Sequence, residues 1–166
     1  LRTEDGGQTW RWRSEPMVSM LTAVHFSDAS CGYAVGRGAL TGESGLLLGT
    51  RDGGSSWSKI DMPGFSFNDV VFLDSLNGYV CGGNNAANTI GTIWRTTNGG
   101  RSWEGRNQSR PMKRLYFRSR NDGWAVGGNR CYRTNNGQDW KIVLLSAAVT
   151  DLYDIQFVND SVGWIA

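Results

Sequence analysis

The clearest clusters of side chains that could do chemistry in this sequence sit in four copies of one pattern. Thr-x-Asp-Gly-Gly-x-x-Trp runs from Thr3 to Trp10 and from Thr50 to Trp57, and an Asn form runs from Thr96 to Trp103. A degenerate fourth copy spans Arg133 to Trp140. Aspartates next to paired glycines could ligate calcium, but an EF-hand-like loop needs several carboxylates and a distal Glu. The repeats lack these, so no metal is assigned. The chemistry that remains is local hydrogen bonding. Asp5 and Asp52 can accept backbone N–H groups of their own turn, and Asn98 and Asn135 can do the same through the amide oxygen. Gly7, Gly54, Gly100 and Gly137 can supply a positive φ that a side chain would oppose. Trp10, Trp57, Trp103 and Trp140 then fold back as apolar caps. All twelve residues are read as structural, with no catalytic residue among them.

The remaining reactive groups form no recognisable centre. The single histidine, His25, lies beside Phe26 in a predicted strand and has no nucleophile to serve, which argues against Ser-His-Asp chemistry. Cys31, Cys81 and Cys131 are widely spaced, contain no Cys-x-x-Cys pair and cannot complete a zinc site with one histidine; they read as small buried side chains. Glycosidase chemistry needs paired carboxylates. Glu15, Asp28, Glu43, Asp61, Asp69, Asp74 and Glu104 fall mostly in expected turns, with no evident pair. No cofactor is implied. A net charge of +2 excludes a strongly electrostatic nucleic-acid binder. The positive side is nonetheless 14 arginines against 3 lysines, a bias toward bidentate and stacked contacts. No run of 18 apolar residues is present, so no transmembrane helix is expected.

The elements that must position these residues follow from a second motif in register with the first. An aromatic residue stands six positions before a glycine, and another aromatic follows that glycine. The sets are Phe26, Gly32 and Tyr33; Phe72, Gly78 and Tyr79; Phe117, Gly123 and Trp124; and Phe157, Gly163 and Trp164. The first three copies close on Gly36, Gly82 and Gly127. The four box tryptophans are 47, 46 and 37 residues apart. Each unit holds four short β segments, as in Thr22–Phe26, Tyr33–Val35, Leu46–Gly49 and Trp57–Ile60, divided by Gly, Asn and Asp clusters. Only Leu144–Val149 is an apolar run that could make a turn of helix. The 23 glycines and 3 prolines in 166 residues fit many tight turns. Four strands in roughly 40–50 residues is the period of a propeller blade. The expected fold is therefore all-β, a β-propeller segment of about four blades. The expected divisions are 1–16 as the end of one blade, then 17–62, 63–108 and 109–148 as blades, and 149–166 as the start of another. Trp12 and Trp94 lie outside the repeat and are expected to pack between blades. The segments Arg37–Ser44 and Asn84–Gly91 lengthen the loops between second and third strands, where recognition often sits.

The two interleaved motifs together resemble the photosystem II stability/assembly factor family, Asp-box propellers of the thylakoid lumen. The likeness covers the whole chain and is closest from Met112 onward. It implies a seven-bladed ring, of which this chain carries a part. It also implies a non-enzymatic scaffold that binds the D1 reaction-centre subunit, and a location in the thylakoid lumen of a chloroplast or cyanobacterium. A periplasmic or secreted location is the alternative. By the same resemblance, partner binding would fall to an arginine patch. The best match here is Arg110, Arg114, Arg118 and Arg120, with Arg130 and Arg133 close in sequence; alternation puts Arg114, Arg118 and Arg120 on one strand parity. Replacing Arg114 and Arg118 is then expected to weaken binding without altering folding. The competing readings are an Asp-box glycoside hydrolase or sialidase and a sortilin-like secreted propeller.

Overall fold

The computed structural model describes residues 1–12, 18–38, 45–62, 66–84, 89–145 and 149–166. Short strands separated by Asp, Asn and Ser turns pair in chain order. The first sheet is β1 (Val18–Phe26), β2 (Gly32–Gly38), β3 (Gly45–Thr50) and β4 (Ser58–Ile60). The second is β5 (Ser66–Phe72), β6 (Gly78–Gly83), β7 (Gly91–Thr96) and β8 (Glu104–Gln108). The third is β9 (Arg114–Phe117), β10 (Gly123–Gly127), β11 (Arg130–Thr134) and β12 (Lys141–Val143). A two-stranded sheet, β13 (Ile155–Phe157) with β14 (Gly163–Ile165), follows. Every pairing is an antiparallel meander, and Arg2 and Arg11 form an isolated antiparallel bridge ahead of the first sheet. No helix occurs among the described residues; of the run Leu144–Val149, residues 146–148 lie outside them. So do 39–44 and 85–88, the middles of the two lengthened loops, and the carboxylates Glu15 and Glu43.

The sheets stand side by side, first strand against first strand: β5 contacts β1 and β9, and β9 contacts β13. The cores accordingly lie between sheets. Tyr33, Val35 and Leu47 of the first pack with Phe67, Val70, Phe72 and Val80 of the second. Tyr79, Cys81 and Ile93 meet Met112, Leu115, Ala125 and Tyr132. Trp124, Val126 and Cys131 meet Leu152 and Ile155. This is the arrangement of propeller blades, and the sheets are called blades below.

Both glycines of the second motif are explained by close approach. A Cβ on Gly32, Gly78, Gly123 or Gly163 would stand 2.4–2.7 Å from the ring of the motif's own phenylalanine, which lies across it. A Cβ on Gly36, Gly82 or Gly127 would stand 1.9–2.1 Å from the carbonyl oxygen of Met20, Ser66 or Pro111, in or just ahead of the blade's first strand. In the first two blades that approach coincides with a register shift in the first strand. The bulge re-aims a side chain outward. Thr22 Oγ1 donates to the Phe67 carbonyl at 2.8 Å, and Asn68 Nδ2 donates to the Met112 carbonyl at 2.7 Å, each reaching the next blade.

Candidate functional site

The Thr-x-Asp boxes close the hairpin between third and fourth strands. In the first-blade box, Thr50 Oγ1 donates to Asp52 at 2.8 Å and accepts the Gly54 N–H at 2.9 Å. Asp52 Oδ1 in turn accepts the Ser56 N–H at 2.9 Å. Asp5 repeats this with Thr9, and Asn98 with Ser102. The indole N–H of Trp10 and of Trp103 donates to the Gly7 and Gly100 carbonyl oxygens. Gly7, Gly54 and Gly100 have φ of 91°, 81° and 79°, the left-handed region that glycine tolerates. Hydrogen bonds from Thr9 hold the Asp5 carboxyl down at about 2. Those from Ser56 hold Asp52 well below the usual carboxylate range.

The fourth box departs from the sequence-based alignment. Its hydroxyl is Thr134, and the amide in the aspartate's place is Asn136, not Asn135. Thr134 Oγ1 accepts the Gly137 N–H at 2.9 Å, while Asn136 Oδ1 accepts the Gln138 and Asp139 N–H groups, both at 2.9 Å. Asn135 stays exposed outside the clamp. The turn is one residue shorter, so Gly137 does the work of two glycines. Its N–H meets the threonine, as that of Gly100 does, and its carbonyl accepts the next-door Tyr79 hydroxyl, as that of Gly99 accepts Tyr33.

That hydroxyl contact joins the two sequence motifs into one latch between blades. Tyr33 stacks on Phe72 of the next blade with centroids 3.7 Å apart, and its hydroxyl reaches the Gly99 carbonyl at 2.9 Å. Phe72 meets the edge of Trp103 at 6.0 Å. Tyr79, Phe117 and Trp140 repeat the set one blade on, with Tyr79 donating to Gly137 O at 3.1 Å. In the third blade Trp124 takes the tyrosine's place against Phe157, at 4.4 Å.

The arginines predicted as a patch are dispersed. Strand β9 ends at Phe117, so strand parity does not govern Arg118 and Arg120, which lie in the turn after it. Arg110 lies at the other end of the sheet, its side chain against Gly128 in the β10–β11 turn. Arg114 pairs with Asp69 of the preceding blade at 3.6 Å and with Asp154 before β13 at 3.1 Å. Arg118 pairs with Asp122, reaches the Asp160 carbonyl, and lies 4.7 Å from the Trp124 ring. Arg133 joins it from the other direction, 3.1 Å from Asp122 and 4.9 Å from Trp124. Burial raises the Asp122 carboxyl, but the hydrogen bonds from Arg118 and Arg133 outweigh it and the net shift is downward. Arg120, the most exposed of the four at 68%, pairs with Asp74 of the preceding blade at 2.9 Å. Arg114 and Arg118 therefore tie blades together, and their replacement is expected to alter folding as well as any binding.

Asp69, expected in a turn, instead lies within β5, buried at the bulge. Its carboxylate accepts the Val70 and Leu115 N–H groups at 2.9 and 2.8 Å. Burial pushes its carboxyl up, against the pull of the Leu115 N–H and Arg114. In repeat register it is one of a series, Asp69, Arg114 and Asp154, each three residues before a motif phenylalanine. The second, third and fourth blades thus present alternating charge at this position, where the first blade has Ala23. The single histidine also joins blades: His25 Nε2 lies 2.8 Å from the Phe72 carbonyl oxygen. Cys31, Cys81 and Cys131 are free thiols, the last two buried. Trp94 packs against the first interblade core, whereas Trp12 is exposed. Among the described residues no group of three His, Cys, Asp or Glu side chains is placed to hold a metal ion.

Comparison with known proteins adds to this picture. The family model described as photosynthesis system II assembly factor YCF48 matches residues 1–106, well over half of the chain. No curated protein matches the chain. Among solved structures, the chain is similar in fold to one titled "YCF48 bound to D1 peptide", with a TM-score of 0.65 and 21% identity. The match covers 81% of this chain and 43% of that one, so this chain spans less than half the length of that structure.

Proposed function

The chain belongs to the photosynthesis system II assembly factor YCF48 family, and on that premise we propose that it is a non-enzymatic assembly factor. It binds a photosystem II reaction-centre subunit through its propeller surface and works in the thylakoid lumen. The family match over residues 1–106 carries this reading, and a protein of that name and similar fold was solved with a D1 peptide. The described side chains support it. Among the described carboxylates, Asp28, Asp52 and Asp74 are held in turn clamps and Asp69 and Asp122 in pairs with arginines. Of Arg110, Arg114, Arg118 and Arg120, Arg120 is the best placed for a partner, being exposed and tied by a single ion pair. The test is capture of the reaction-centre subunit from solubilised thylakoid membranes on the immobilised chain. Arg120→Ala is expected to reduce capture several-fold with an unchanged melting temperature. Absence of capture by the unaltered chain, with turnover of a sialoside or β-glucan, would replace the scaffold by a hydrolase.

A further inference from the structure

The first two blade junctions each place the end of one blade's third strand, its fourth strand and the next blade's Thr-x-Asp box around a common space. Between the first and second blades that space is an open cleft of about 370 Å³. Between the second and third it has closed to about 10 Å³. The difference follows from the residues at matching repeat positions. Gly49 precedes Thr50 where Arg95 precedes Thr96, and Ser58 and Ile60 follow Trp57 where Glu104 and Arg106 follow Trp103. Three long charged side chains fill the second junction, and glycine, serine and isoleucine leave the first one open. The cleft is thus set by the residues of this junction, since the matching positions of the next one fill theirs.

Its walls have a definite chemistry. Ile60 forms an apolar floor beside the Tyr33 ring, which is itself buried. Among the described residues Arg51 is held in place by neutral partners: Nη2 donates to the Gly99 carbonyl at 2.9 Å, Nη1 to Cys31 Sγ at 3.3 Å, and the guanidinium lies 5.7 Å from the Tyr33 ring centre. A guanidinium has five donors, so the charge is oriented and keeps donors to spare. Arg101 also lines the cleft and is exposed, with no carboxylate in ion-pair range among the described residues. Asp52, the acid of the cleft, is committed to Thr50 and Ser56. Two guanidiniums without carboxylate partners above an apolar floor complement a carboxylate attached to an apolar group.

We propose that this cleft is a receptor for a peptide carboxylate, seating the acid between Arg51 and Arg101 and a neighbouring apolar side chain on Ile60. The proposal rests on the reading that the protein binds a polypeptide. The acid can be a chain terminus or an acidic side chain. Three probes separate these: N-acetyl-Leu-Ala with a free terminus, N-acetyl-Leu-Asp-amide, and the neutral N-acetyl-Leu-Ala-amide. Each is titrated into the 166-residue chain and followed by amide NMR shifts. One or both acids should move the Gly99, Gly100 and Arg101 amides at concentrations where the neutral peptide does not, and whichever acid acts identifies the source. Arg101→Gln should weaken binding by about three- to fivefold, in the range of exposed charge pairs. Ser58→Glu, which installs the second junction's residue, should abolish it. Equal shifts from the neutral peptide, or acid binding indifferent to both variants, overturns the proposal. Reaction-centre subunit capture run in parallel separates the two readings. Capture that both variants leave intact removes the cleft alone, and acid-peptide binding without capture removes the assembly-factor reading alone.

Discussion

At the scale of single residues, the aspartates of the turns are clamped in their ionised form. Asp28, in the β1–β2 turn, is held at about 2, first by the Ser30 hydroxyl and then by the Cys31 and Ser30 N–H groups. Asp5 is held at about 2 and Asp52 is lowered further. A folded-state pKa below the unfolded value contributes stability that is present in full above about pH 4 and is lost as pH falls toward the folded value. Asp69 has the opposite sign. Burial raises it, so its protonation on acidification relieves a cost and partly offsets the loss. The third box shows what an amide does in the same clamp, with Asn98 Oδ1 accepting the Ser102 N–H at 3.0 Å. Asp52→Asn should therefore fold to the same structure and lie below the unaltered chain in stability at pH 7. The gap should shrink as pH is lowered from 4 to 2. Thermal unfolding of the two proteins across that range checks it, and a constant gap would show that the charge of Asp52 plays no part.

At the scale of elements, the unit of stability is the latch between blades. The first and second latches differ in how their carbonyl is satisfied. Gly99 O accepts Arg51 Nη2 as well as the Tyr33 hydroxyl, both at 2.9 Å. Gly137 O accepts only Tyr79 among the described residues, and that hydroxyl also lies 3.3 Å from Arg120 O. Removing one of two donors costs about 0.5–1.5 kcal/mol, while stranding a buried acceptor costs about 1–3 kcal/mol. Tyr79→Phe should thus destabilise more than Tyr33→Phe in denaturant unfolding; equal losses would place the effect in ring packing alone. The latch also marks how far the sequence can be read. Strict alternation of two motifs makes the blades legible, because each motif residue acts locally, as a ring laid over a glycine or a hydroxyl set in a turn. What the motifs do to each other is not legible, since Tyr33 and Gly99 are 66 positions apart. The same reason hides Asp69, whose partners Arg114 and Leu115 belong to another blade. Asn136 escapes for a different one. With one residue deleted, spacing from the tryptophan and spacing from the threonine disagree, and only the hydrogen bonds decide between them. The arginine cluster is legible as composition but not as geometry, because Asp122, Asp154 and Asp74 approach from separate blades and turns.

At the scale of the whole molecule, the repeat lets each position be compared with itself. Two residues before the motif phenylalanine, Val70, Leu115 and Ile155 are 2–4% exposed, while Val24 is 62% exposed. After the motif glycine, Tyr33 and Tyr79 are 1% exposed and Trp164 is 61% exposed. These two faces, on β1 and on β13–β14, have the composition of an interblade core without a covering sheet. Phe26 and Leu21 extend the first face, and Tyr153, Val158 and Ile165 lie on or beside the second. Contiguous apolar surface of this kind drives association in water. A face built to receive a blade of the same repeat is complementary to the opposite face of another copy. The 166-residue chain in isolation should therefore self-associate with rising concentration and bind an apolar dye, and Val24→Asp together with Trp164→Asp should suppress both while leaving the three interior junctions intact. Sedimentation velocity across a concentration series reads the first effect and dye fluorescence the second. A monodisperse monomer that leaves the dye dark would mean that other parts of the chain cover these faces, since by composition they match the buried junctions.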